Sequence, residues 1–341
     1  MPTRLDDLIQ WLETLLGASV SNSASGELQI APASNDASFR RYFRVTGEAL
    51  AGRFADAGAS LIVMDAPPEK EDVQPFIAVS SLLSTAGLHV PRVLAQNLER
   101  GFLLLTDLGC QSYLDALNEQ TVEGLYADAL DALLRMQRDV TPQATNLPLY
   151  DDALLLNEMG LFRDWYCRKY RGFNLDTTQE KALAKVFARL SAAARAQPRV
   201  FVHRDYHSRN LMVTQRDNPG ILDFQDALLG PVSYDLVSLL RDCYIAWPRA
   251  RVEQWALGYL QRAADAGIMD PESNATYLRW FDWMGVQRHL KAVGIFARLH
   301  LRDDKPGYLN DIPRTLAYVR EVTGRYPELK DLYHLLADLA D

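Results

Sequence analysis

One segment of the chain, residues 199–224, constrains its fold more than any other part of the sequence. Three short apolar runs in this segment have the length and composition of buried strands, and a polar stretch follows each run. These polar stretches carry four candidate functional residues: His203, Asp205, Asn210 and Asp223. Because functional side chains concentrate in loops held by rigid elements, we expect a site where these strands end.

The order and spacing of these residues match what phosphoryl transfer from a nucleotide requires. A carboxylate at Asp205 orients an acceptor hydroxyl in line with the γ-phosphate and takes its proton late in the reaction. Asn210 and Asp223 offer hard oxygen ligands, which suit magnesium better than a softer metal. A lone His-x-Asp is weak evidence, but two correctly spaced elements in the correct order predict a catalytic loop followed by a metal-binding turn.

Composition excludes several other classes of protein. A net charge of −8 argues against nucleic acid as a main partner, and no polybasic or long apolar run predicts a membrane partner. Cys110, Cys167 and Cys243 are too few and too widely separated for a disulfide framework or a zinc site. We therefore expect a cytoplasmic protein that acts on small molecules, with no sign of an obligate protein partner.

Strand and helix patterns divide the 341 residues into two parts. One helix pattern at 72–86 lies among the strand patterns of the first part, and helical periodicity dominates the second. The three strand patterns lie at 38–45, 60–64 and 101–105. We expect a nucleotide-binding lobe over residues 1–105, a hinge over 106–110 and a helical catalytic lobe over 111–341.

This α+β organisation, a small β-rich N-lobe followed by a large mainly helical C-lobe, resembles the protein-kinase-like bilobal fold. Within that fold, the segment His203–Asp235 is similar to the aminoglycoside phosphotransferase and choline kinase superfamily, which phosphorylates small molecules. Three further segments, 36–45, 157–165 and 287–298, resemble bacterial anomeric kinases that phosphorylate N-acetylmuramate and N-acetylglucosamine at C1 in cell-wall recycling. The resemblance covers nearly the whole chain and implies ATP and Mg²⁺ as cofactors and an amino sugar as acceptor.

The resemblance also implies supporting roles for three residues around the motif. The histidine at the position of His203 supports the catalytic loop in this superfamily, so we expect it to pack rather than to transfer a proton. Asp235 begins an apolar helix, and its counterpart in the superfamily braces the same loop. Asp226 either holds a water near the metal or caps the following turn, and its position favours neither role.

The nucleotide-binding part departs from the kinase pattern in two ways. No Gly-x-Gly-x-x-Gly is present, and the corresponding hairpin holds Ser34, Asn35 and Ser38, small polar residues that let backbone N–H groups approach phosphate. The strand at 60–64 also lacks the usual phosphate-binding lysine, and the helix at 72–86 has no internal glutamate to pair with one.

Positive charge for the phosphates must therefore come from other side chains. Arg40, Arg41 and Arg44 are the nearest supply, and Arg44 is included in the predicted nucleotide site. Lys70 is a weaker candidate. The predicted hinge residues, whose backbone groups would pair with the adenine edge, are Thr106, Asp107 and Leu108.

The predicted acceptor site draws on two helical segments. A sugar site needs a carboxylate for hydroxyls and an aromatic plane for the ring, which points to Glu158 and Trp165, with Arg163 between them. Arg241, Arg288 and Lys291 are the candidate cations for the lactyl carboxylate of N-acetylmuramate, with Arg288 as the first choice. The alternative role for Trp165 is a core position, and the alternative for each of the candidate cations is solvation on a helix face.

Two other functions fit the same pattern. An antibiotic or choline-type kinase shares the chemistry, although an aminoglycoside site needs clustered carboxylates that the later helices do not emphasise. A nucleotide-binding scaffold without catalytic activity fits the missing lysine, and it predicts nucleotide binding without turnover.

Overall fold

The computed structural model describes residues 3–22, 27–34, 39–50, 54 and 60–339. The chain forms two compact units. The first unit consists of residues 1–111 and 212–226, and the second consists of residues 112–211 and 227–341. Among the described residues, no helix is both long and apolar enough to cross a membrane.

The elements follow the predicted change from strands to helices. The helices are α1 (Arg4–Leu16), α2 (Gln74–Thr85), α3 (Tyr113–Ala116), α4 (Val122–Arg135), α5 (Asp152–Leu161), α6 (Thr177–Arg195), α7 (Tyr234–Leu240), α8 (Arg249–Asp265), α9 (Asn274–Asp303), α10 (Ile312–Thr323) and α11 (Lys330–Asp338). The strands are β1 (Val20–Ser21), β2 (Leu28–Ser34), β3 (Arg41–Thr46), β4 (Ser60–Asp65), β5 (Val93–Asn97), β6 (Phe102–Thr106), β7 (Arg199–Val202), β8 (Leu211–Met212), β9 (Gly220–Ile221) and β10 (Leu228–Pro231). Two π-helical turns, Met136–Val140 and Phe162–Tyr170, continue α4 and α5.

The first unit is built on a six-stranded sheet with the strand order β1-β2-β3-β4-β6-β5. The central strands are antiparallel, and Arg41 of β3 pairs with Asp65 of β4. Helix α1 packs on the sheet through Leu8, Leu12 and Leu16, because these residues recur at helical spacing and form one buried face.

The division between the units differs from the expected one in one respect. The change after residue 111 lies next to the hinge expected at 106–110, but residues 212–226 belong to the first unit. The Ile221 N–H donates to the carbonyl oxygen of His89 at 2.8 Å, so β9 is hydrogen-bonded within that unit. The expected single boundary therefore misses a return of the chain.

The second unit is organised around α9, which has 30 residues. Its central part is buried and carries polar side chains there, among them Gln287, Arg288 and Lys291. Strand β7 pairs antiparallel with β10, with Val202 opposite Leu228. Because buried polar groups need partners, these side chains require hydrogen bonds or ion pairs within the unit.

Candidate active site

The loop that follows β7 is held by one buried carboxylate. The backbone N–H groups of His203 and Arg204 donate to the two carboxylate oxygens of Asp235, at 2.6 and 3.0 Å. The Asp205 N–H donates to His203 Nδ1 at 3.3 Å, which leaves Nε2 to carry the proton of a neutral ring. His203 and Asp235 are buried, whereas Asp205 is partly exposed. The loop backbone is thus anchored on α7 while the Asp205 side chain stays accessible.

A second buried carboxylate, Asp242, anchors the far end of the same loop. It accepts hydrogen bonds from the N–H and Oγ–H of Ser208 at 2.9 and 2.5 Å, and from the Tyr244 N–H at 2.9 Å. Asn210 Nδ2 donates to the carbonyl oxygen of Asp205 at 3.0 Å and closes the loop on itself. The sequence reasoning missed Asp242, whose only signal is its place after an apolar helical run.

Arg204, directly before Asp205, has a left-handed backbone with a φ of 79°. Its guanidinium forms an ion pair with Glu158 at 2.5 Å. Glu158 also pairs with Lys291 Nζ at 3.0 Å and accepts a hydrogen bond from the Tyr150 hydroxyl. A positive φ is rare outside glycine and persists where the surroundings hold it, which this buried cluster does.

The charges around the loop keep the Asp205 carboxylate ionised. Burial alone would raise the pKa of Asp205, but neighbouring positive charge, that of Lys291 above all, lowers it below its usual value. Burial lowers the pKa of His207, so its ring is neutral near pH 7. Burial also raises the pKa of Asp235 to about 7, although the backbone N–H groups it binds oppose this rise. Asp205 therefore carries the loop's accessible negative charge.

Two of the predicted acceptor residues are buried. Glu158 is 4% exposed and its carboxylate is engaged by two cations, so the predicted contact with sugar hydroxyls does not fit its surroundings. Arg288 is 5% exposed, its Nη1 lies 3.8 Å from Cys243 Sγ, and its Nε has no hydrogen-bond partner among the described residues. Both side chains belong to the interior of the second unit.

The other two predicted acceptor residues lie on the π-helical turn after α5. Arg163 pairs with Asp164 at 2.8 Å and lines a cavity of about 310 Å³. Trp165 is partly buried against the core, with Lys169 Nζ 3.6 Å from its ring centroid. Among the described residues, neither side chain makes a hydrogen bond or ion pair with the loop 203–210.

In the first unit, Asp223 has a left-handed backbone with a φ of 63°, and its Oδ1 accepts from Gln225 Nε2 at 2.7 Å. Arg40 forms an ion pair with Glu71 at 3.1 Å, and only 11% and 16% of these two side chains are exposed. Burial tends to lower the pKa of Arg40, but Tyr42, Glu71 and Asp223 together raise it. Arg40 therefore lies in acidic surroundings that include the predicted metal ligand Asp223.

The other two arginines of β3 are paired with different carboxylates. Arg44 makes a two-point ion pair with Asp107, with Nε–Oδ2 at 2.6 Å and Nη2–Oδ1 at 3.1 Å. Arg41 shares the buried carboxylate of Asp65 with Arg4. Burial would raise the pKa of Asp107, but the hydrogen bonds from Arg44 and other donors lower it. The prediction that Arg44 binds the nucleotide does not fit this closed pair, which also occupies the Asp107 side chain.

The predicted hinge is held by its own side chains. Thr106 Oγ1 accepts from the Arg92 N–H at 2.9 Å. Leu108 approaches Gly220 so closely that a Cβ on residue 220 would lie 3.0 Å from Leu108 Cδ1. These contacts occupy the side chains of the segment. The predicted pairing with the adenine edge concerns its backbone groups.

Three predicted phosphate contacts lie around the end of β2. Asn35 and Ser38 fall outside the described residues. Ser34 is described only as the last residue of β2, with Tyr42 as its backbone partner on β3. The hairpin prediction accordingly stays a prediction.

Comparison with known protein structures agrees with the fold. The chain is similar to a solved structure of choline kinase from Streptococcus pneumoniae, with a TM-score of 0.60, 11% identity and coverage of 94% of this chain and all of that one. It is also similar to an aminoglycoside phosphotransferase with ADP bound, with a TM-score of 0.56, 14% identity and coverage of 93% and 98%. At these identities the likeness shows the fold, and it confirms the predicted kinase-like α+β class.

Sequence comparison adds the family. A relative named N-acetylmuramate/N-acetylglucosamine kinase, from Pseudomonas putida, is 49% identical over 98% of this chain and 96% of its own length. Residues 29–273 match the model of a family described as the phosphotransferase enzyme family. Since the match spans most of the chain and includes the whole loop built around Asp205, this protein belongs to the phosphotransferase enzyme family.

Proposed function

We propose that this enzyme transfers the γ-phosphate of ATP to the anomeric C1 hydroxyl of N-acetylmuramate and N-acetylglucosamine. The observation that carries the proposal is the relative from Pseudomonas putida, which bears that kinase name and is 49% identical over nearly the whole chain. Sugar 1-phosphates made in this way would feed peptidoglycan recycling. Because ATP is the proposed donor, we expect the reaction to take place in the cytoplasm.

In this proposal Asp205 acts on the acceptor hydroxyl. Its ionised, partly exposed carboxylate accepts a hydrogen bond from the sugar hydroxyl and aligns it with the γ-phosphorus. As the new O–P bond forms and the bond to the β-phosphate oxygen breaks, Asp205 receives the hydroxyl proton. His203, Asp235 and Asp242 keep the loop in the conformation that presents Asp205.

Asn210 and Asp223 are the residues that would hold Mg²⁺ in this proposal. When held there, Mg²⁺ would supply positive charge that offsets the negative charge of the nucleotide phosphates. The amide oxygen of Asn210 and the carboxylate oxygens of Asp223 are of the type that Mg²⁺ prefers. Asn210 Nδ2 donates to the backbone carbonyl oxygen of Asp205, so the amide oxygen of Asn210 faces away from that carbonyl oxygen.

A phosphate-release and ATP-consumption assay over a panel of acceptors tests the proposed function. We expect turnover with both N-acetylated sugars and little with aminoglycosides or choline, and phosphorus NMR should place the phosphate on C1. Turnover confined to aminoglycosides or choline, or phosphate on C6, would contradict the sugar assignment. Nucleotide binding without turnover on any acceptor would instead identify a catalytically inactive scaffold.

We also propose that Arg40 supplies the phosphate-binding charge that the missing lysine supplies in other kinases. All three arginines form ion pairs with carboxylates, but two observations favour Arg40: its side chain is only 11% exposed, and Asp223 raises its pKa. Glu71, just before α2, then takes the place of the absent helix glutamate, since an acid beside the cation fixes its direction.

Arg40→Gln should weaken ADP and ATP binding by roughly 10- to 100-fold, because charge-assisted hydrogen bonds to phosphate are among the stronger ones. The KM for the sugar should change little. Isothermal titration calorimetry with each nucleotide gives the Kd without any need for turnover. Arg41→Gln is the matched control, since Arg4 still pairs with Asp65 in that variant. Equal losses in both variants, or none in Arg40→Gln, would remove Arg40 from the phosphate site.

A further inference from the structure

Arg209, on the loop between Asp205 and Asn210, has an exposed side chain held against two aromatic rings. Its guanidinium carbon lies 3.6 Å from the ring centroid of Tyr244 and 5.7 Å from that of Tyr308. Stacking on an aromatic face fixes the plane of a guanidinium and leaves the N–H donors at its edge available. Among the described residues, no hydrogen bond or ion pair occupies these donors.

The two rings are themselves held in place. Asp242 accepts from the backbone N–H groups of both Ser208 and Tyr244, so one carboxylate ties the loop to the segment that carries the first ring. Tyr308 stacks on Phe296, with ring centroids 5.6 Å apart and an interplanar angle of 22°. The position of the Arg209 guanidinium relative to the loop is therefore fixed by packing on both sides.

The other cations near the loop are less suited to meet a ligand. Arg204 and Lys291 are both paired with the buried carboxylate of Glu158. Arg288 is only 5% exposed. Of the described cations around Asp205 in this unit, Arg209 combines exposure, a fixed plane and unoccupied donors.

The two proposed acceptors differ in one charged group, the lactyl carboxylate that N-acetylmuramate carries and N-acetylglucosamine lacks. We propose that Arg209, presented by Tyr244 and Tyr308, binds the carboxylate of the acidic acceptor through its edge donors. A planar guanidinium matches a carboxylate at two points, which gives geometry as well as attraction. This inference rests on the proposed function and assigns a specificity residue that the motif spacing does not reveal.

Arg209→Gln should lower kcat/KM for N-acetylmuramate by roughly 10- to 100-fold, the effect of losing a charge-assisted contact. N-Acetylglucosamine should be affected several times less. Calorimetric binding of N-acetylmuramate, without nucleotide, should weaken by a similar factor. The methyl ester of N-acetylmuramate should be a poorer acceptor than the free acid for the wild-type enzyme, and Arg209→Gln should not distinguish ester from acid.

Four further variants make the result interpretable. Tyr244→Phe keeps the ring under the guanidinium and should retain the preference for the acid, whereas Tyr244→Leu should lose it. Arg288→Gln should impair both sugars alike, because that buried side chain has no exposed donors to select between them. Arg199→Gln, an exposed arginine on β7, is the control for loss of surface charge.

The outcomes separate this inference from the proposed function. If the wild-type enzyme phosphorylates neither sugar, the proposed function is wrong, and the assignment of Arg209 to the N-acetylmuramate carboxylate is wrong with it. If wild-type enzyme uses both sugars and Arg209→Gln changes them equally, or changes neither, the assignment of Arg209 is wrong. A selective loss in Arg288→Gln alone would transfer the role to Arg288.

Discussion

Asp205→Asn should lower kcat by about 10²–10⁴-fold while the Kd for ATP stays close to the wild-type value. The amide keeps the size of the side chain but cannot accept the hydroxyl proton. It also lacks the charge that the surrounding cations, Lys291 above all, stabilise on the carboxylate. Single-turnover kinetics with saturating sugar and ATP measure the chemical step, and calorimetry measures nucleotide binding separately.

The matched control for this variant is Asp217→Asn. Asp217 is an exposed aspartate of the first unit with a φ of 50°, a backbone conformation that asparagine tolerates well. Its substitution should leave turnover unchanged. Wild-type turnover in Asp205→Asn would show that another group takes the proton, and loss of ATP binding would show that the substitution damaged the nucleotide site instead.

Asp223→Ala should weaken Mg²⁺-dependent ATP binding by at least roughly 10- to 100-fold. That is the loss in affinity when a metal site loses a residue that only supports its ligands, and Asp223 is proposed as a direct ligand. Alanine removes one hard anionic ligand and leaves Asn210, water and the phosphates to hold the ion. It also removes a carboxylate that raises the pKa of Arg40. Calorimetric titration of ATP at graded Mg²⁺ concentrations should show the loss, while sugar binding stays nearly constant.

Asp226→Ala distinguishes the two carboxylates of this turn. If Asp223 is the metal ligand, Asp226→Ala should shift the magnesium dependence much less than Asp223→Ala does. An unchanged magnesium titration in Asp223→Ala together with a large shift in Asp226→Ala would place the ion at Asp226. In that case the role of Asp226, which its sequence position leaves open, would be that of a direct ligand.

Much of the fold was predictable because its patterns are local. The helix pattern at 72–86 corresponds closely to α2, and the strand patterns at 60–64 and 101–105 correspond to β4 and β6. Strands β5 and β10 were missed. They are four or five residues long with no clear alternation, and β10 ends in Gly230-Pro231, which by itself indicates a turn.

The partners of the charged residues were not predictable. Arg44 was predicted to bind the nucleotide, yet its guanidinium pairs with the carboxylate of Asp107, 63 residues away in the sequence. Glu158 was predicted to meet sugar hydroxyls, yet it is buried between Arg204 and Lys291. Residue type and spacing indicate which side chains can carry charge, but they do not indicate which opposite charge will neutralise it.

The order of Asp205, Asn210 and Asp223 was predictable because residues a few positions apart on short strands and loops are placed by local geometry. The kinase-like class followed from the resemblance of the sequence to a known superfamily. Which cations are neutralised in the interior, and which remain for a ligand, depends on how distant parts of the chain pack together. Burying a charge is costly unless an opposite charge is packed against it, and that partner comes from distant parts of the chain. For this reason the roles proposed for Arg40 and Arg209 emerge from packing.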